Sequence, residues 1–236
     1  MLLKPNTPNT FKEKECECIR PANCPYSGLL NGKYCQKYLN YLEGFRTFQY
    51  IAPKSFSNVS FENFTTYNQI LKDALKKSIY FVNKQLWKKG SGLILYGGYG
   101  TGKTRLGYTI LKEIAIMGGI IEVIDLITDF EKFETADEKI IQALKAEVIF
   151  IDDLGAKSYN WIAEKIRIIV DEATRNRKSI IISSNLKPDK LVTSLDDRTA
   201  SRLTELIPKQ GIIYTGEEDF RIKKRKEKEI EWLEYE

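Results

Sequence analysis

Histidine is absent from all 236 residues, which removes imidazole from any metal site the chain could build. No apolar run is long enough to span a bilayer, so a membrane-spanning role is excluded at this level. The opening MLLKPNTPNTFKEKE lacks the basic-then-apolar order of a secretory signal, and the expectation is a cytoplasmic protein. Internal repeats are missing as well. Cysteine is scarce and confined: its four copies, Cys16, Cys18, Cys24 and Cys35, all fall in the first 35 residues. Net charge is modest too, because 37 basic residues face 32 acidic ones. A net charge of +5 argues weakly for an acidic partner, but its placement says more. Lys72, Lys76, Lys77, Lys84, Lys88 and Lys89 face one acid, Asp73, between Tyr67 and Gly90, and that stretch carries the whole net excess. A phosphate-tracking surface and a solvated helix face both fit such a cluster. A second basic run, 221–228, is partly cancelled by the glutamates that follow.

What is present falls into a cysteine-bearing, tyrosine-rich segment (1–50), a connector with serine, asparagine and proline punctuation (51–67), a core (68–221) and a charged tail (222–236). The core opens with an amphipathic helix carrying Leu71, Leu75, Ile79, Val82 and Leu86 at spacings of three and four. Strand patterns follow in GLILY, IIEVI, EVIFI, SIIIS and QGIIYT, separated by helical patterns. Asp125 and Asp137 are expected to cap two short helices between the second and third of these strands. The alternation predicts an α/β fold, with a parallel sheet covered on both faces.

Between the first strand and its helix stands GGYGTGKT. Gly97, Gly102, Lys103 and Thr104 match G-x-x-x-x-G-K-[ST] in the strand-to-helix context the motif requires. Glycines there let backbone N–H groups converge on phosphate oxygens, and the helix N-terminus adds its field. Gly98, Gly100, Thr101 and Arg105 complete the expected nucleotide-binding set. Lys103 is expected on the β- and γ-phosphates, with the Thr104 hydroxyl on magnesium. VIFIDDLG supplies the carboxylates: Asp152 to hold magnesium, Asp153 to orient or deprotonate the attacking water. Asn185, at the end of IIISSN, is a candidate to hold that water from the far side; a turn asparagine before Lys187-Pro188 would look the same. Arg198 and Arg202, four apart in DDRTASRLTE, share a helix face and are candidate arginine fingers, with pairing to Asp196, Asp197 or Glu205 as the alternative.

The four cysteines span twenty residues as CECIRPANCPYSGLLNGKYC. In a reducing compartment such crowding suits a tetrahedral zinc site better than disulfides, closed by all four thiolates or with a borrowed carboxylate; free or redox thiols are the alternative.

GGYGTGKT, VIFIDDLG, SSN and DDRTASRL, in this order, resemble the DnaC/DnaI/IstB group of AAA+ ATPases, most of all its replicative helicase loaders. SFSNVSFENF resembles that group's entry segment, and the likeness runs from about Phe56 to Arg221. The resemblance implies an AAA+ P-loop NTPase with little or no lid, preceded by a small zinc-binding module. It makes Asp152 the Walker-B residue, Asn185 sensor 1, Arg202 (or Arg198) the finger, and Arg221 of DFR a sensor-2-like residue. It further implies ATP hydrolysis that is slow without partners, and docking on a replicative helicase through the N-terminal module. Self-association on that helicase and single-stranded DNA contacted by DLITDFEKFE, with Lys132 and Phe133 as candidates, belong to the same expectation; an ordinary amphipathic helix is the other reading of that segment. Asp153 stands where many AAA+ proteins carry glutamate. Three other functions are compatible with parts of the pattern: an IstB-like transposition ATPase on duplex DNA, a nucleotide-switched adaptor with little turnover, and a small-molecule P-loop kinase.

Overall fold

The computed structural model describes residues 29–30, 33–34, 36–129, 133–155, 160–223, 225 and 229. A short antiparallel hairpin, β1 (Leu29–Leu30) and β2 (Lys33–Tyr34), precedes helix α1 (Gln36–Ile51). Helix α2 (Gln69–Asn83) starts where the Asn68 side chain accepts the Leu71 N–H at 2.9 Å, a side-chain cap on an otherwise orphaned donor. It ends three residues before Leu86; the turn Leu86–Lys89 continues as a 3-10 helix and stops at left-handed Gly90. From there strands and helices alternate: β3 (Leu93–Tyr96), α3 (Lys103–Ile116), β4 (Ile121–Asp125), α4 (Phe133–Ala143), β5 (Val148–Asp152), α5 (Asn160–Asn176) and β6 (Ser179–Ser184). Helices α6 (Pro188–Thr193) and α7 (Asp197–Leu206) lead to β7 (Ile212–Tyr214).

The five strands β3 to β7 form one parallel sheet in the order β4-β5-β6-β3-β7. Their near-continuous apolar sequences are explained by two buried faces. Because side chains alternate across a strand, Leu93, Leu95, Val148, Phe150 and Ile181 join one core with α1, α2 and α3. Ile94, Ile149, Ile151, Ile180 and Ile182 join the other with α4, α5, α6 and α7. Residues of the 51–67 stretch belong to the first core: Val59 and Phe64 are buried, and Phe56 stacks on Tyr108 with ring centroids 4.8 Å apart. Helix α1 lies on α3 so closely that a Cβ added at Gly44 would sit 1.9 Å from the Ala115 carbonyl oxygen.

Among the described residues one helix, α4, lies between β4 and β5, and neither Asp125 nor Asp137 caps it. Asp125 instead caps a turn, its Oδ1 accepting the N–H groups of Ile127 and Thr128. Asp137 lies inside α4, where it pairs with Lys165 of α5. A helix–helix ion pair explains that carboxylate as well as a cap would, and the two are indistinguishable without the tertiary structure.

One buried charge on α3 is off the nucleotide-binding side. Glu113 is 3% exposed, and its Oε1 finds no hydrogen-bond partner. Burial, reinforced by Glu62 and opposed by Lys112, pushes its pKa up to about 7. A carboxyl raised in the folded state favours folding most below its unfolded pKa, and this advantage is lost as pH climbs from about 4.5 to about 7. Glu113→Gln should therefore leave stability near about pH 5 little changed and raise it near about pH 8 by on the order of 3 kcal/mol. Urea unfolding at the two pH values checks this.

Candidate functional site

The loop between β3 and α3 lies at the carboxyl end of the sheet. Gly100 and Gly102 hold φ of 70° and 91°, a region closed to most side chains, which allows the tight curl; the Gly97 and Gly98 N–H groups, expected on the nucleotide, are instead taken by the Ser184 and Gly216 carbonyls at 3.3 and 2.8 Å. The Lys103 ammonium folds back over this curl, donating to the Gly97 and Gly98 carbonyls at 3.0 and 2.6 Å. Burial lowers its pKa, while Asp153 and then Asp152 push it back up. Thr101 ties the loop down through its hydroxyl, 2.7 Å from that of Thr215.

Thr104, in the first turn of α3, donates its hydroxyl to Asp152 Oδ1 at 3.0 Å. Asp152 ends β5 and is 6% exposed; burial lifts its pKa to about 6, opposed by the Ser183 hydrogen bond, with Asp153 adding to the rise. Ser183, on β6, donates to Asp152 and accepts the Asp153 N–H at 2.9 Å, so one hydroxyl aligns both aspartates. The strand pattern hid this residue; its signal was a polar Ser183-Ser184 pair directly after the apolar run Ile180, Ile181, Ile182. Asp153 has φ of 58°, which turns its half-buried carboxyl into the cavity; burial raises its pKa, with Lys103 opposing. A buried carboxylate held by two hydroxyls, with a second acid beside it and no direct ion pair, is a donor set that suits a divalent cation.

Lys103, Thr104 and Asp153 line a cavity of about 320 Å³, with Asp152 hydrogen-bonded to Thr104 outside its lining. Gly100, Thr101, Gly102, Lys103, Thr104 and Arg105 form its floor, and Asp153 and Asn185 one side. Among the described residues the buried Asn185 Oδ1 has no hydrogen-bond partner, which leaves an acceptor at the cavity wall. Arg105 also borders the cavity, but its guanidinium is committed to Asn63, donating to the backbone oxygen at 2.8 Å and the side-chain oxygen at 3.1 Å.

Two further walls come from outside the core motifs. Phe56, Phe64 and Tyr67 enter from the 51–67 stretch, and Phe220 stacks on Tyr67 at 4.6 Å. Phe220 N–H donates to Gly100 O at 3.2 Å, and Arg221 follows it into the cavity lining. A Cβ on Gly100 would meet the Asp219 carboxylate at 1.8 Å, so the terminal segment presses directly on the loop. The resemblance pointed to Arg221; the three aromatics were missed.

Arg198 and Arg202 are not brought to this cavity. Both reach across from α7 to Asp171 on α5, at 2.9 and 3.1 Å. Their acidic partner is thus a residue remote in sequence, not Asp196, which instead caps α7, nor Asp197 or Glu205. Cys16, Cys18, Cys24 and Cys35 lie outside the described residues, as does Lys132; Phe133 opens α4. No cluster of metal-ligating side chains, and no helix long and apolar enough to cross a membrane, occurs among the described residues.

Comparison with known proteins agrees with this geometry. The family model for IstB-like ATP binding proteins matches residues 45–228. Over 111 residues, 44% of this chain, there is 30% identity to the replicative helicase loader DnaI of Bacillus subtilis (strain 168). The match covers 36% of that relative, so the chain spans about a third of its length. A crystal structure of DnaI superposes with a TM-score of 0.62 and 22% identity, over 74% of this chain and 98% of that one. The DnaC helicase loader gives 0.56 and 25%, over 69% and 99%.

Proposed function

This chain belongs to the IstB-like ATP-binding family, in the DnaC/DnaI/IstB group, and from that membership we propose that it is an ATPase that loads a replicative helicase onto single-stranded DNA. The observation that carries the catalytic half is the placing of Thr104 and Asp153 on the cavity that the Lys103 loop lines, with the buried Asp152 hydrogen-bonded to Thr104. Lys103 binds the β- and γ-phosphates, and Gly100, Thr101 and Gly102 present N–H groups to them, while Gly97 and Gly98 hold the start of the loop in place. Thr104 and Asp152 hold magnesium, which when bound neutralises phosphate charge. Asp153 orients and deprotonates the attacking water, and the unpartnered Asn185 acceptor steadies it. Arg221 meets the phosphates from the C-terminal wall, and Phe56, Phe64 and Tyr67 offer apolar surface to the base.

Arg202, or Arg198 beside it, acts on the nucleotide of a neighbouring subunit, which accounts for two arginines displayed away from their own cavity. Turnover is accordingly slow until copies assemble on the helicase. The four N-terminal cysteines bind one structural zinc and form the module that docks there.

The second reading is a transposition ATPase on duplex DNA, favoured by the family description rather than by the named relatives. Mixing the purified chain with candidate replicative helicases, with ATP or ADP, and measuring complex mass separates the two. A complex that requires residues 1–50 and delivers helicase to single-stranded DNA is expected. Absence of any complex, together with a preference for duplex, would transfer the assignment to transposition.

A further inference from the structure

Helix α2 buries Leu71, Ala74, Ser78, Phe81 and Val82 and turns its opposite side to solvent. On that side Lys72, Lys76 and Lys77 are exposed, followed by Lys84 at the helix end and Lys88 and Lys89 on the next turn. At 1.5 Å per residue, the row Lys72, Lys76, Tyr80, Lys84 advances in steps of about 6 Å along one face. Among the described residues only Lys76 nears an acid, Asp73, and at 4.0 Å. Tyr80 stands in the middle of the row with 58% of its surface exposed. The ATP site uses none of these side chains, and α2 meets α3 and β7 through its other face; Lys88 alone among them lies over a core ring, its ammonium 5.0 Å from the Trp87 centroid.

A solvated helix face has no need of an uncovered ring. Cations at regular intervals around an exposed aromatic provide both parts of strand binding, ammonium groups for phosphates and a π-face for an unpaired base. An acidic protein surface would be served by the lysines alone. We propose that the outer face of α2, from Lys72 to Lys89, is a track for single-stranded DNA, with Tyr80 stacking on a base. The track is separate from the segment around Phe133 and rests on the loader reading only in taking the strand to be unpaired DNA.

The test uses the full chain without helicase, titrated against a labelled oligothymidylate and a duplex of equal length across a salt series. Each phosphate neutralised contributes about 0.7 to the slope of log affinity against log salt for single strands, so K72Q/K76Q/K77Q should flatten that slope by about 2. Tyr80→Ala should weaken single-strand binding about tenfold and leave the duplex unchanged. Circular dichroism melting establishes that the variants are folded. An unchanged slope in the triple variant overturns the proposal, as does an equal effect of Tyr80→Ala on both DNAs. Helicase complex formation is measured separately. If the triple variant keeps its DNA affinity and loses that complex, the face is a protein surface: the track falls and the loader reading stands. If the slope flattens as expected and no helicase ever binds, the track stands and the loader reading falls.

Discussion

Lys103→Ala is expected to cut magnesium-dependent ATP turnover about a thousandfold, the scale set by removing one charged donor from a site built around developing negative charge. The ammonium donates to two loop carbonyls, so it is stationed over the curl where phosphates would lie. Burial lowers its pKa, so the protein bears a desolvation penalty to keep a charge there. Removing it should spare the fold while it removes the chemistry. The measurement is phosphate release by the full chain, paired with a melting curve without nucleotide. Lost turnover with an intact melt is the expected pair. Turnover retained would remove Lys103 from the phosphate site, and turnover barely detectable in the parent chain even with helicase present would favour a nucleotide-switched adaptor.

The largest stability effect should come from a residue with no chemistry. Gly44→Ala places a methyl 1.9 Å from the Ala115 oxygen and 2.8 Å from the Ile116 nitrogen, and both are backbone atoms of α3 that cannot swing aside. Tyr41 and Phe48, three before and four after Gly44, are buried on the same face, so α1 cannot retreat without uncovering them. The alanine's better helix propensity returns about 1 kcal/mol, and the clash should still leave a net loss of about 3 kcal/mol. For a chain of this size that is about 10 °C in melting temperature. Glu43→Ala, one residue away and exposed, should move it by less than about 0.5 kcal/mol. Equal effects of the two would mean that α1 does not lie on α3 in solution.

Different parts of the molecule were legible to different degrees. The loop, the Asp152-Asp153 pair and Asn185 are short-range signals, each placed at the end of an apolar strand, and the parallel sheet gathers strand ends at one edge. The strand order was not legible, because all five strands are apolar and any could pair with any other. Asp137 misled for a related reason: a carboxylate that caps and one that reaches a lysine 28 residues on read identically. Asp171 was invisible as the partner of Arg198 and Arg202, since the contact exists only once α5 and α7 are packed together. The stretch 51–67 lacks any period because its aromatics fold individually into crevices of a surface built by later residues.

That last feature bears on how the chain could be divided. A fragment begun at residue 68, where strand and helix alternation starts, would retain every motif of the nucleotide site. It would lose Phe56, Phe64 and Tyr67, and with Tyr67 the ring on which Phe220 rests. The stretch before the first core helix and the segment after the last strand therefore meet as two halves of a clasp around the mouth of the site. Tension or displacement applied to either end of the domain would reach the bound nucleotide without crossing the sheet.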